Sequence, residues 1–197
     1  MFSFDKDKAF WIFKPKQYEI SEDSIKIITE PNTDFWQRTY YGFKNDNAPS
    51  LLFKTSEKFF SFTVKTEFNR SMMYDQCGVI IYQDSDNWFK ASIEYENDGY
   101  QRLGSVVTNH GYSDWATTDI DANIKCMYYR LSRRGSDYLI ENSIDGKEFK
   151  QMRVFHLFKG DDSINFGIYA CSPIKASFEA KFSDINISEC TWEKHEG

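Results

Sequence analysis

The chain has 197 residues, 41% of them hydrophobic and 18% aromatic, with a formal net charge of −6. That length is enough for a sizeable core in one domain. The acidic balance and the scattered placement of Lys and Arg argue against nucleic acid or an anionic membrane as the main partner. No stretch approaches the roughly 20 apolar residues of a membrane-spanning helix.

The opening MFSFDKDKAFWIF carries acidic residues where a signal peptide would be basic, and its apolar stretch is too short. The four cysteines, Cys77, Cys126, Cys171 and Cys190, are widely spaced, with no CxxC pair, and are expected to be free thiols. Together these features lead to the expectation of a cytoplasmic protein. Asn69-Arg70-Ser71 and Asn186-Ile187-Ser188 match the glycosylation pattern. The match carries no weight without secretion.

Alternation of apolar and polar residues recurs along the chain, and it predicts strands. The runs are Ser24–Thr29, Ser50–Lys54, Phe59–Phe68, Gln76–Tyr82, Trp88–Tyr95, Arg102–Asn109, Met127–Arg134, Tyr138–Ile144, Ile164–Cys171 and Lys175–Ile187. Turn formers separate them, among them Glu96-Asn97-Asp98-Gly99, Arg134-Gly135-Ser136-Asp137 and Asp145-Gly146. No long helical period occurs; at most a turn of helix is expected near Lys54–Lys58. Strands at this spacing predict an all-β, antiparallel two-sheet sandwich. With no linker and no repeat, residues 1–197 read as one domain.

The stretch YDQCGVIIYQDSDNWFKASIEYENDG, Tyr74 to Gly99, reads as two strands joined by a polar turn. In the second strand Phe89, Ala91, Ile93 and Tyr95 share the core face. Trp88, Lys90, Ser92 and Glu94 share the other. In the first, Cys77, Val79 and Ile81 alternate with Gln76, Gly78, Ile80 and Tyr82. Further polar groups fall on non-core faces in VTNHGYSDW, which holds Asn109, Ser113, Asp114 and Trp115, and in YYRLSRR, which holds Arg130. Asp34-Phe35-Trp36-Gln37-Arg38-Thr39 forms a third such stretch.

Each feature also has an ordinary structural reading. Trp88 and Trp115 would serve equally to cap a hydrophobic edge, and Lys90 with Glu94 to make a cross-strand ion pair worth under about 1 kcal/mol. Arg130 would hold a carboxylate such as Glu94, and Asp34 would cap its own turn. If the strands share one sheet, however, the face becomes a polar, aromatic-lined trough. Such a trough suits sugars, whose apolar faces stack on rings and whose hydroxyls need donors and acceptors. Catalysis is weakly signalled. Glu94 and Glu96 share a face, but Glu96 runs into a turn, and the ExDxE arrangement of sandwich-fold glucanases is absent. No zinc spacing, phosphate loop or Ser-His-Asp order stands out, so no metal and no cofactor are expected.

The stretches DFWQRT, DQCGVIIYQDSDNWFKASIEYENDG, VVTNHGYSDW, YRLSRRGSDYLIENSIDG and FGIYACSP, in this order, resemble the "regulation of enolase protein" family, a domain of unknown function. The resemblance runs from about Phe10 to Ile187. It implies a concanavalin A-like jelly roll with a concave face, and no particular activity. By position it marks Gln76, Trp88, Lys90, Glu94, Asn109, Ser113, Asp114, Trp115 and Arg130 as ligand-binding residues. Similar sandwich modules accompany glycosidases. The expected function is therefore a non-catalytic module that binds a carbohydrate, a sugar phosphate or a related polar molecule. A regulatory domain acting on a metabolic enzyme is the first alternative, and a glycosidase-like enzyme using Glu94 the second.

Overall fold

Strand alternation and intervening turns generate sixteen strands in the computed structural model, which describes residues 6–69 and 72–194. Arg70 and Ser71 of the first glycosylation pattern, the first five residues and His195 lie outside the described residues. After a short 3-10 turn at Lys6–Lys8 come β1 (Phe10–Ile12), β2 (Gln17–Ile20), β3 (Ser24–Ile28), β4 (Phe35–Gln37), β5 (Lys44–Asp46), β6 (Ser50–Thr55), β7 (Phe59–Asn69) and β8 (Gln76–Asp84). They are followed by β9 (Asn87–Tyr95), β10 (Tyr100–Asn109), β11 (Tyr112–Asp121), β12 (Cys126–Arg134), β13 (Asp137–Ser143), β14 (Lys150–His156), β15 (Ile164–Cys171) and β16 (Glu179–Ser188).

Two seven-stranded antiparallel sheets face each other, in the orders β1-β6-β15-β8-β9-β10-β11 and β14-β13-β12-β7-β16-β3-β2. The expected two-sheet sandwich is what the chain builds. Inward-facing residues of both sheets make one core. Cys77, Val79 and Ile81 of β8 and Phe89, Ala91 and Ile93 of β9 meet Phe60, Phe62 and Val64 of β7 and Tyr129 and Leu131 of β12. Phe166 is a hub between the sheets, with ring centroids 4.9 Å from Phe60 and 5.2 Å from Phe62.

The anticipated helical turn near Lys54–Lys58 is absent, because β6 continues through Thr55. The backbone beyond it is used otherwise. The carbonyl of Glu57 accepts from the buried Arg133 at 2.8 Å, and Arg133 also donates to the carbonyls of Gly135 and Gly160. All four cysteines are free, with Cys77 and Cys171 buried. Among the described residues no helix is long and apolar enough to cross a membrane.

A third, two-stranded sheet, β4-β5, is paired into neither of the two large sheets. It belongs to the segment that folds back over the outer face of the first sheet, and it decides what that face becomes.

Candidate ligand-binding site

The outer face of the β8-β9-β10-β11 region is divided in two. One half is roofed. Phe35 of β4 packs with Trp88, Ile80, Leu52, Val106 and Tyr169, all buried, into a second apolar layer. Its ring lies 5.5 Å from that of Trp88 and 6.1 Å from that of Tyr169. The roof is pinned by a hydrogen bond from the backbone N–H of Gln37 to Ser113 Oγ at 2.9 Å, and that hydroxyl shares a second bond of 2.8 Å with the Thr108 hydroxyl on the neighbouring strand. Arg38 donates to Asp86 and to the carbonyl of Gly111, at 2.9 and 2.8 Å. Gly111 has φ +78°, and a Cβ there would meet the Arg38 guanidinium, so a larger residue would strain the turn and displace that side chain.

The other half is open. It forms a cavity of about 730 Å³ between the sheet, the β4-β5 hairpin and the segments around Tyr74 and Pro173. That volume lies within the range of small-molecule sites, about 300–1,000 Å³. Strand register sets its floor. Gln76 of β8, Glu94 of β9 and Arg102 of β10 are direct cross-strand partners in one row. Ser92 and Gly104 pair in the next row and Lys90 and Val106 beyond them.

The floor is a connected polar network. Gln76 Nε2 donates to Glu94 Oε2 at 2.8 Å, while its Oε1 accepts from the buried Tyr169 hydroxyl at 3.0 Å. Tyr169 also bonds Ser92 at 2.8 Å. Lys90, 6% exposed along its side chain, donates to Asp34 Oδ1 at 3.0 Å. Asp34 additionally caps the N–H of Phe35 at 2.7 Å, so its turn-capping role and its place in the cavity coexist. Burial draws the Lys90 ammonium down, but Asp34, Cys171 and Glu94 outweigh it, and the net shift is upward. Glu94 is pushed up to about 7, chiefly by burial. Lys90 and Arg102 pull it down, while Asp34 and Glu96 add to the rise.

The walls are aromatic. Trp115 of β11 meets Trp36 edge to face at 6.3 Å, and Tyr41 stacks on Phe43 at 5.8 Å. Tyr40 and Tyr74, also lining the cavity, hold φ of 80° and 72°. Two non-glycine residues in the left-handed region at the rim of one cavity are the kind of local strain that gathers at functional sites.

Of the residues marked by sequence, Gln76, Lys90, Glu94, Ser113, Asp114 and Trp115 line this cavity. Three do not. Trp88, expected as a stacking surface, is fully buried in the second apolar layer, its indole N–H donating to the carbonyl of Ser85 at 3.2 Å. Asn109 joins the two sheets instead: its amide donates to the carbonyl of His156 at 3.0 Å and accepts from the N–H of Phe158 at 3.2 Å. Arg130 lies on the opposite sheet, on the outer face of β12, in a bidentate pair with Glu141 at 2.6 and 2.9 Å. It has no access to Glu94. Within the cavity, Ser113 serves mainly as the hydrogen-bonding post for β4, and Asp114 sits at the rim, paired with Arg153 at 2.8 Å.

Residues 11–190 match the family described as Protein of unknown function (DUF1349). The chain belongs to that family. Another protein similar to this DUF1349 chain is "Regulation of enolase protein 1" of Saccharomyces cerevisiae, 31% identical over 178 residues, which span 90% of this chain and 88% of the relative. A crystal structure of a functionally unknown protein from Saccharomyces cerevisiae superposes with a TM-score of 0.87 at 29% identity, covering 95% of this chain and 100% of that one. The GH43 protein BlXynB of Bacillus licheniformis (its K247S mutant) gives a TM-score of 0.71 at 16% identity, over 92% of this chain and 37% of that chain. At that identity the likeness concerns the sandwich alone.

The cavity also contains residues that the sequence did not mark. Arg102 was within reach of it. Extending alternation across the Glu96–Gly99 turn places Arg102 opposite Glu94, where the structure has it, 5.4 Å from the Trp115 ring and 2.9 Å from Glu96. Tyr40, Tyr41 and Phe43 left no such signal. They stand on an irregular connection between β4 and β5, where no periodicity reports a facing.

Proposed function

We propose that this cavity binds a carbohydrate or a related polar small molecule of similar size, as a recognition module and not as a hydrolase. The observation that carries this reading is the pairing of a hydrogen-bonded floor, Gln76, Lys90, Ser92 and Glu94, with aromatic walls, Trp36, Tyr41, Phe43, Tyr74 and Trp115, in one open cavity. Pyranose rings have apolar faces that stack on aromatic side chains and hydroxyls that need both donors and acceptors. Binding is favoured over hydrolysis because two-carboxylate catalysis needs a free partner for Glu94, and Asp34 is held by Lys90 and by the Phe35 N–H while Glu96 is held by Arg102.

A panel of neutral hexoses, pentoses and their short oligomers tests this by thermal shift and calorimetry. A ligand at ten times its Kd stabilises the fold by about 1.4 kcal/mol, a rise in Tm of about 3–6 °C for a chain of this size. Trp115→Ala is expected to abolish the shift. A panel that leaves Tm unmoved while the protein is folded refutes the reading.

A second reading draws on the yeast relative named for regulation of enolase. Tyr40, Tyr41, Phe43, Met72 and Met73 are exposed hydrophobic side chains of a kind used in protein contacts. Purified enolase mixed with the chain tests it by sedimentation. A complex lost in the double variant Tyr40→Ser, Tyr41→Ser supports it, and two independent boundaries at micromolar concentration exclude it.

A further inference from the structure

The charges around the cavity do not balance evenly. Lys90 is matched by Asp34 at 3.0 Å and Arg102 by Glu96 at 2.9 Å. Asp114, at the rim, is matched by Arg153 at 2.8 Å. Each cation bordering the cavity therefore already faces a carboxylate of the protein. Glu94 is different. Its hydrogen-bond partner is the neutral amide of Gln76, and among the described residues no Lys or Arg nitrogen comes within ion-pair distance of it. The unmatched charge in the cavity is negative.

The rings nearby suit a positive charge. Tyr41 and Tyr74 line the same cavity as Glu94, and Tyr41 is stacked on Phe43. Burial, and behind it the carboxylate of Asp34 and that of Glu94, raise the Tyr41 phenol, so the field of these carboxylates reaches that ring. Aromatic rings lining the same cavity as a carboxylate are a setting that favours an ammonium group.

We propose that the ligand of this cavity carries an ammonium or other cationic group, seated between Glu94 and the rings of Tyr41 and Tyr74, and that phosphorylated and carboxylated sugars are rejected. This rests on the reading of the cavity as a small-molecule site and narrows it from sugars in general to amine-bearing ones. An anion entering the cavity would find both Lys90 and Arg102 already paired, and it would meet Glu94, which has no ion-pair partner of its own.

Ionisation of Glu94 supplies the dependence on pH. The charged groups that bear on it are Lys90 and Arg102 on one side and Asp34 and Glu96 on the other, with burial the largest influence and the pKa pushed up to about 7. A permanent cation should therefore bind about tenfold more tightly at pH 8 than at pH 6, the ratio of the ionised fractions of a group titrating at about 7.

The test uses choline and its neutral isostere 3,3-dimethylbutan-1-ol, which differ only in charge, with Trp36 and Trp115 fluorescence as the readout. Glucose, glucosamine and glucose 6-phosphate are titrated in parallel. Choline is expected to bind more tightly than the isostere, and more so at pH 8. Glu94→Gln should bring the two together and remove the pH dependence. Glucosamine should bind more tightly than glucose, and glucose 6-phosphate less tightly. Equal binding of choline and the isostere by the wild type, or tighter binding of the phosphate, overturns the proposal even if neutral sugars bind. Choline selectivity without binding of any sugar keeps the charge assignment and refutes the carbohydrate reading.

Discussion

Glu94 should make the stability of this protein fall as pH rises through the neutral range, and Glu94→Gln should remove that fall. The carboxyl titrates at about 7 in the folded chain against an ordinary value of 4.5. Below about pH 4.5 both folded and unfolded states hold the proton, and Glu94 contributes no pH dependence. Between 4.5 and 7 the folded state keeps a proton that the unfolded chain releases, so folding becomes less favourable with each step upward. Above 7 the penalty is complete and constant. At 1.36 kcal/mol per pH unit the full effect is about 3 kcal/mol, and solvent reaching the half-open carboxyl through the cavity reduces it to about 2 kcal/mol. Glutamine keeps the shape and stays neutral, and its carbonyl can accept the same bond from Gln76. The variant should exceed the wild type by about 0.5 kcal/mol at pH 5 and by about 2 kcal/mol at pH 8, the latter about 4–8 °C in Tm. Urea unfolding and thermal melts of both proteins at pH 5, 6, 7 and 8 measure this. A difference between the two that stays constant from pH 5 to pH 8 refutes the argument, because only a titrating Glu94 makes it grow.

Two other outcomes separate framework from site. Trp88→Ala removes a fully buried indole from the second apolar layer and should cost about 3–5 kcal/mol in urea unfolding; Trp115→Ala, at a ring 43% exposed, should cost under about 1 kcal/mol while abolishing ligand binding. Asp34→Asn leaves the Lys90 ammonium buried and unpaired and should cost about 3–5 kcal/mol, most of it recovered in the double variant Asp34→Asn, Lys90→Met; a single variant as stable as the wild type would show that Lys90 has another anion.

The two-sheet sandwich was legible because a strand with one face in the core must alternate, and Phe60, Phe62 and Val64 or Phe89, Ala91 and Ile93 do so without interruption. Alternation states which side of its own sheet a residue occupies and nothing more. It placed Arg130 correctly on an outward face, but β12 lies in the other sheet, and the outward face there points away from the cavity. It placed Trp88 correctly opposite the core, but outward is not the same as exposed, and Phe35 arrives from a distant stretch of chain to bury it. The three-residue strands β4 and β5 are too short to show a period, and on them depends the boundary between roof and cavity.

The same boundary bears on why the cavity exists. One half of this sheet face is closed by an apolar layer of aromatic and aliphatic side chains, so the fold has the means to cover the other half in the same way. It instead keeps a buried Lys90–Asp34 pair, which hydrophobic residues of similar volume would replace at no loss or with a gain of about 1–4 kcal/mol. It keeps a carboxyl that lowers stability at neutral pH, and two tyrosines in a left-handed backbone region at a cost of order 1 kcal/mol or more each. Every one of these features lines the same 730 Å³ cavity and opposes stability there. Stability gives no account of such a concentration, and recognition of a polar ligand does: the groups that burden the empty fold are those a bound ligand would pair.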